Sequence, residues 1–177
     1  MIDKFVALDR DKCEFIYQLA LATRARNIVE VGTSFGVSTI YLALAVAQND
    51  PEGGRVIGTE IEEAKAAKAK QHWMEAGEDV KQHIKLRLGD LRDTLKTDLP
   101  EVDLLLLDIW AAMALPALKV VQPRLRTGAV VIVDNTASMS DLYKDLLDYL
   151  RDPDSPFTTL TLPFSNGLEM AVYSPRT

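Results

Sequence analysis

The chain has 177 residues, enough for one domain with a packed core and too few for two comfortable ones. Hydrophobic residues make up 47% and charged residues 26%, which excludes a disordered or low-complexity chain. The net charge of −6 speaks against a nucleic-acid partner, because binding to a phosphate backbone needs clustered cations.

The first stretch, Met1 to about Ala25, has room for one long helix and lacks the charged start and apolar run of a targeting segment. Cys13 is the single cysteine, so no internal disulfide forms and a cytoplasmic setting is expected. No apolar run approaches a bilayer span, so no membrane partner is expected. Asn27 to Gly32, Arg55 to Glu60, Ile84 to Gly89, Val102 to Asp108 and Ala129 to Asp134 read as strands rich in Val, Ile and Leu without strict alternation. Strands covered on both faces have that pattern. Val37 to Gln48 is a nearly all-apolar helix. Glu62 to Glu75 has acids in its first turn and Gly77 as a C-cap. Pro116 is expected in the first turn of a helix running to about Leu125. Ser138-Met139-Ser140-Asp141 suggests a capping box for a helix to about Leu150. Phe157 to Pro163 and Leu168 to Ser174 read as strands joined by a turn containing Asn166-Gly167, a strong hairpin signal. The fold expected is a single α/β domain over residues 1–177. It is Rossmann-like: a seven-stranded, mostly parallel sheet with an antiparallel C-terminal hairpin and helices on both faces.

Ligands of open α/β sheets bind beyond the carboxyl ends of the strands. Here those ends are Glu30 and Gly32, Glu60, Gly89-Asp90, Asp108, and Asp134-Asn135. So acidic an edge repels a pyrophosphate and suits a cation, a ribose or a divalent metal. Gly32-Thr33-Ser34-Phe35-Gly36 follows the first strand and lacks the third glycine of a dinucleotide fingerprint. It reads equally as a ligand loop or as a tight turn. Glu60 suits two ribose hydroxyls, or the cap of the next helix. Asp108, Asp134 and Asn135 form a set of hard oxygen ligands for Mg²⁺, or simply turn and cap the chain.

Taken together, these residues resemble the class I S-adenosylmethionine-dependent methyltransferases, and within them the metal-dependent O-methyltransferases of the catechol and caffeoyl-CoA type. Glu30-Val31-Gly32-Thr33-Ser34-Phe35-Gly36-Val37-Ser38 is similar to that family's first motif. The resemblance implies that Glu30, Gly32, Thr33, Ser34, Gly36 and Ser38 face the methionine part of S-adenosyl-L-methionine. It makes Glu60, with Ile61 beside it, the ribose acid. Gly89, Asp90 and Leu91 would line the adenine, and Trp110 would stack near it. Asp108-Ile109-Trp110-Ala111 resembles the family's Asp-His-Trp-Lys segment, and Asp134-Asn135 its metal-binding pair. Gly167-Leu168-Glu169 resembles the segment carrying its acceptor-contacting acid. The likeness spans roughly residues 14 to 174, with two departures: Ala111 stands where the family has its catalytic lysine, and little chain precedes the first strand.

The implied reaction is O-methylation of a small hydroxylated acceptor. A divalent metal such as Mg²⁺ on Asp108, Asp134 and Asn135 would lower the acceptor's pKa, and Glu169 would orient a second hydroxyl. The acceptor site would be open, completed by a second subunit in a homodimer, or built for a larger substrate. Neither His72 nor His83 lies at the ligand edge, and both read as surface residues. Three other readings stay open: a metal-independent O- or N-methyltransferase, a non-catalytic cofactor-binding domain, and a nicotinamide dehydrogenase. The glycine pattern and the final hairpin oppose the last.

Overall fold

A computed structural model describes residues 7–176. Helix α1 (Arg10–Ala22) leads into β1 (Asn27–Val31), α2 (Val37–Asn49), β2 (Arg55–Glu60), α3 (Glu63–Ala76), the single turn α4 (Glu78–Lys81) and β3 (Ile84–Leu88). The second half runs through the short α5 (Leu91–Thr94), β4 (Val102–Leu107), α6 (Ala111–Val121), a 3-10 turn, β5 (Leu125–Asp134), α7 (Lys144–Arg151), β6 (Phe157–Leu162) and β7 (Leu168–Tyr173). The seven strands form one sheet in the order β3-β2-β1-β4-β5-β7-β6. The first five are parallel, and β7 runs antiparallel to both β5 and β6. That is the Rossmann-like sheet with an antiparallel C-terminal hairpin expected from the sequence.

Alternate residues of each strand enter opposite cores. Ile28, Leu104, Leu106, Val130, Ile132 and Leu168 pack with α1 and α2. Val29, Val31, Leu105, Leu107, Val131, Val133 and Ala171 pack with α6 and α7. By the same alternation Glu30, Asp108 and Asp134 lie on the α1/α2 side of three adjacent strands. From β1 the strand order proceeds one way through β2 and β3, and the other way through β4 and β5. The crevice at the carboxyl ends of β1 and β4 is therefore the topological switch point.

Two of the helices differ from the sequence expectation, and the first one agrees with it. The expected N-terminal helix is confirmed from Arg10 onward, and residues 1–6 fall outside the described part. Pro116 lies inside α6, because the helix begins earlier, directly after Trp110. Proline gives the Ala112 carbonyl no N–H partner, but Ala112 and Pro116 are both exposed, so water can serve that carbonyl. The capping box does not form. The Ala137 and Ser138 amides instead donate to the Asn166 carbonyl of the hairpin turn, and α7 starts later, at Lys144. A tertiary contact has taken the amides that a local cap would have used. No helix among the described residues is long and apolar enough to cross a membrane.

Candidate active site

The loop after β1 is tied to the end of β2. The Thr33 amide donates to the Thr59 carbonyl at 2.9 Å. The Ser34 amide donates to Glu60 Oε2 at 2.8 Å. Gly32 has φ +94, and a Cβ placed on it would fall 2.1 Å from the Asp108 carbonyl oxygen. The glycine is thus required by the close approach of the β1 and β4 ends. Gly36 has φ +75 and accepts the Trp73 indole N–H through its carbonyl at 2.9 Å. Glu60 Oε1 accepts from the Ile61 and Glu62 amides at 2.8 and 2.9 Å. Both readings of Glu60 therefore meet in one group: it caps the entry to α3, and it is the acid closing β2 at the rim.

Glu30 is fully buried beneath this loop. Ser38 and Thr39 hydroxyls donate to it at 2.5 Å each and Thr33 at 2.9 Å. Burial raises its pKa, the three hydroxyls lower it, and Glu60 raises it again. The Glu30, Thr33 and Ser38 side chains are therefore spent on each other, and they shape the loop from below rather than standing open at the rim.

Three large apolar side chains stand in water beside these acids. Ile61 is 67% exposed, Leu88 46% and Trp110 81%, at or just past the ends of β2, β3 and β4. Gly89 hydrogen-bonds through its amide to the Glu60 carbonyl at 2.9 Å, which brings Asp90 to the same rim. Asp90 caps α5 through the Arg92 amide and pairs with the Arg92 guanidinium. The Arg92 bonds hold its carboxyl down at about 2. Leu91, expected against the adenine, turns its side chain into the core and offers only backbone to the rim.

The expected metal ligands are arranged differently from the expectation. Asp134 Oδ1 accepts from the Lys12 ammonium at 2.6 Å, and Asp134 Oδ2 from the Asn135 side-chain amide at 2.9 Å. Lys12 comes from α1, its side chain is 1% exposed, and it lies 3.5 Å from Asp9. Asn135 thus points its N–H₂ inward, where a metal would need oxygen. Among the described residues no group of three or more His, Cys, Asp or Glu is arranged to hold a metal ion. As folded, these residues do not fit a divalent cation. Asp108 is partly buried, and its pKa is pushed up to about 7 by burial first, then by Asp134 and Glu30, with Lys12 opposing. Burial likewise raises Asp134, against the pull of Lys12. The sequence signal for Lys12 was its place on the apolar stripe of α1 with Ile16 and Ala20, all buried at four-residue spacing.

Glu169 does not reach the rim. It pairs in register with Val133, whereas Asp134 pairs with Leu168. One residue of offset puts Glu169 on the opposite face. There it is 0% exposed, paired with Arg151 at 3.0 Å and accepting from Thr161. His83 is also buried rather than superficial, its ring Nδ1 2.9 Å from the Gly54 carbonyl oxygen. Between α6 and α7 a cleft of about 310 Å³ is lined by Ala111, Leu115, Lys119 and Leu142 among others.

A family model described as "Methyltransferase domain" matches residues 29–136, from the first strand through the Asp134-Asn135 pair. Two curated proteins named catechol O-methyltransferase are similar. That of Mycobacterium tuberculosis is 30% identical over 131 residues, covering 73% of this chain and 57% of that protein. That of Niastella koreensis is 32% identical over 90 residues, covering 51% of this chain and 38% of that protein. The chain therefore spans between about two-fifths and three-fifths of these relatives. Among solved structures, the O-methyltransferase TomG from Streptomyces achromogenes, in complex with SAM, superposes with a TM-score of 0.82 at 23% identity, covering 95% of this chain and 82% of that one. An O-methyltransferase from Bacillus cereus, in complex with SAH, gives a TM-score of 0.80 at 22% identity, covering 97% and 84%. At such identities the structures speak for the fold alone.

Proposed function

The chain belongs to the methyltransferase-domain family, and from that membership we propose that it transfers a methyl group from S-adenosyl-L-methionine to a hydroxyl of a small molecule. One observation carries the reading: acids and an exposed apolar platform share one rim, at the switch point of the sheet. Ile61 and Trp110 flank the crevice from the ends of β2 and β4 and offer apolar surface to a flat purine ring. Glu60 and Asp90 suit hydroxyl and amine donors at its edge. The negative rim favours a positively charged ligand. The catechol O-methyltransferase relatives support a hydroxylated aromatic as the acceptor class.

When bound, the cofactor supplies an electrophilic methyl on a sulfonium. The protein's own task is to place an acceptor oxygen in line with it and to take up the hydroxyl proton. Asp108 is positioned for the second task. It lies at the end of β4 beside Gly32, is partly buried, and has a pKa of about 7. Such a carboxyl accepts and releases a proton near neutrality. No divalent metal enters this scheme, because Asp134 and Asn135 are otherwise engaged.

The test is Trp110→Ala, a change at a side chain so exposed that folding is little affected. It should weaken S-adenosyl-L-methionine binding about tenfold, the worth of one base–aromatic stack. Unchanged affinity in calorimetry would remove Trp110 from the site.

A further inference from the structure

Among the described residues Lys12 is the one buried lysine or arginine, and its neighbours are acids of the rim. The ammonium lies 2.6 Å from Asp134 Oδ1 and 3.5 Å from Asp9 Oδ2. Its charge lowers the pKa of both Asp134 and Asp108. The second Asp134 oxygen is taken by the Asn135 amide. An ammonium so deeply buried is tolerated only when paired, and a carboxylate cluster so deeply buried needs a counter-charge for the same reason. The two requirements meet in one contact between α1 and β5.

We propose that Lys12 is a resident cation occupying the position a divalent metal would take, so that Asp134 has its counter-charge without metal. The idea rests on the methyltransferase reading of the same site. A metal cannot simply join the arrangement. Mg²⁺ needs oxygen ligands at about 2.0–2.1 Å in a near-octahedron, and Asp134 Oδ1 is already bonded to Lys12. A second positive charge a few ångström from the ammonium would also be strongly repelled in a partly buried site. Lys12 is a positioning residue. It fixes Asp134, lowers the proton affinity of Asp108 beside it, and couples the docking of α1 to the shape of the crevice. The groups facing it are Asp134 from β5, Asp9 before α1 and, within electrostatic range, Asp108 after β4, which Glu30 from β1 also reaches.

The experiment is titration with Mn²⁺, followed by electron paramagnetic resonance, on the full chain. Wild type should show no stoichiometric site at millimolar Mn²⁺. Lys12→Met keeps an unbranched side chain, one atom shorter, and removes its charge. It should bind one Mn²⁺ per chain at least on the order of a hundredfold more tightly than wild type, the effect expected from deleting a nearby unit charge. Adding Asp134→Asn to Lys12→Met should abolish that gain. A wild-type site lost on Asp134→Asn would overturn the proposal, as would a folded Lys12→Met chain with no gain. Should Lys12→Met fail to fold, the wild-type titration decides alone: Mn²⁺ binding that requires Asp134 overturns the proposal, and its absence supports it. Calorimetry with S-adenosyl-L-methionine on the same wild-type sample separates a failure here from a failure of the methyltransferase reading.

Discussion

An alanine at position 32 would drive its Cβ into the Asp108 carbonyl, 2.1 Å away, while holding φ at +94. Both the collision and the backbone angle oppose any side chain there. Gly32→Ala is expected to cost about 2–4 kcal/mol, read as a lower midpoint in denaturant unfolding; a change within experimental error would mean the loop can move away from β4. Asp108 offers a second test, with a definite sign. Its folded pKa, pushed up to about 7, lies above the ordinary aspartate value of 3.8, so the folded state binds more protons than the unfolded state between those values. Stability must therefore fall as pH rises through that window. Asp108→Asn lacks this loss. The variant should gain on wild type as pH rises from about 4 to 7, with the gap constant above that. A gap that narrows with rising pH would contradict the burial of this carboxyl. At this scale the sequence was legible where a residue type carried its meaning alone, as in the acids at the strand ends. Lys12 was not legible in that way. A lysine on a helix is usually solvated, and only the four-residue spacing with Ile16 and Ala20 marks it as turned inward.

Elements decide which face each acid serves. Glu30, Asp108 and Asp134 fall on the α1/α2 side because their positions in three parallel strands share one parity. Glu169 follows the opposite parity in an antiparallel strand, and α7 supplies Arg151 to meet it. Removing that arginine leaves a fully buried carboxylate with Thr161 as its remaining side-chain donor. Arg151→Met should cost about 2–3 kcal/mol of stability while leaving cofactor affinity unchanged. Loss of cofactor binding in a folded variant would return Glu169 to the site. The alternation of apolar runs revealed the strands and most helices without a structure. Register between strands did not follow from one sequence, since a slip of one residue exchanges the faces. The start of α7 was hidden for a related reason. Ser138 has the chemistry of a cap, but its amide is claimed by the Asn166 carbonyl, a partner nearly thirty positions away in the chain.

Across the whole molecule, strand order does what no single element can. It places β1 between β2 and β4, so that Gly32, Glu60 and Asp108 converge although they are far apart in the chain. Helix α1 closes one side of that arrangement through Lys12, and the β6–β7 hairpin supports the other through the Asn135–Gly167 and Ala137–Asn166 backbone bonds. We propose that this convergence forms the pocket for S-adenosyl-L-methionine. Isothermal titration of the intact chain with that cofactor tests it most directly. One molecule should bind per chain with a dissociation constant in the micromolar range or tighter, undiminished by a chelator. An intact, folded chain that takes up no cofactor would contradict it.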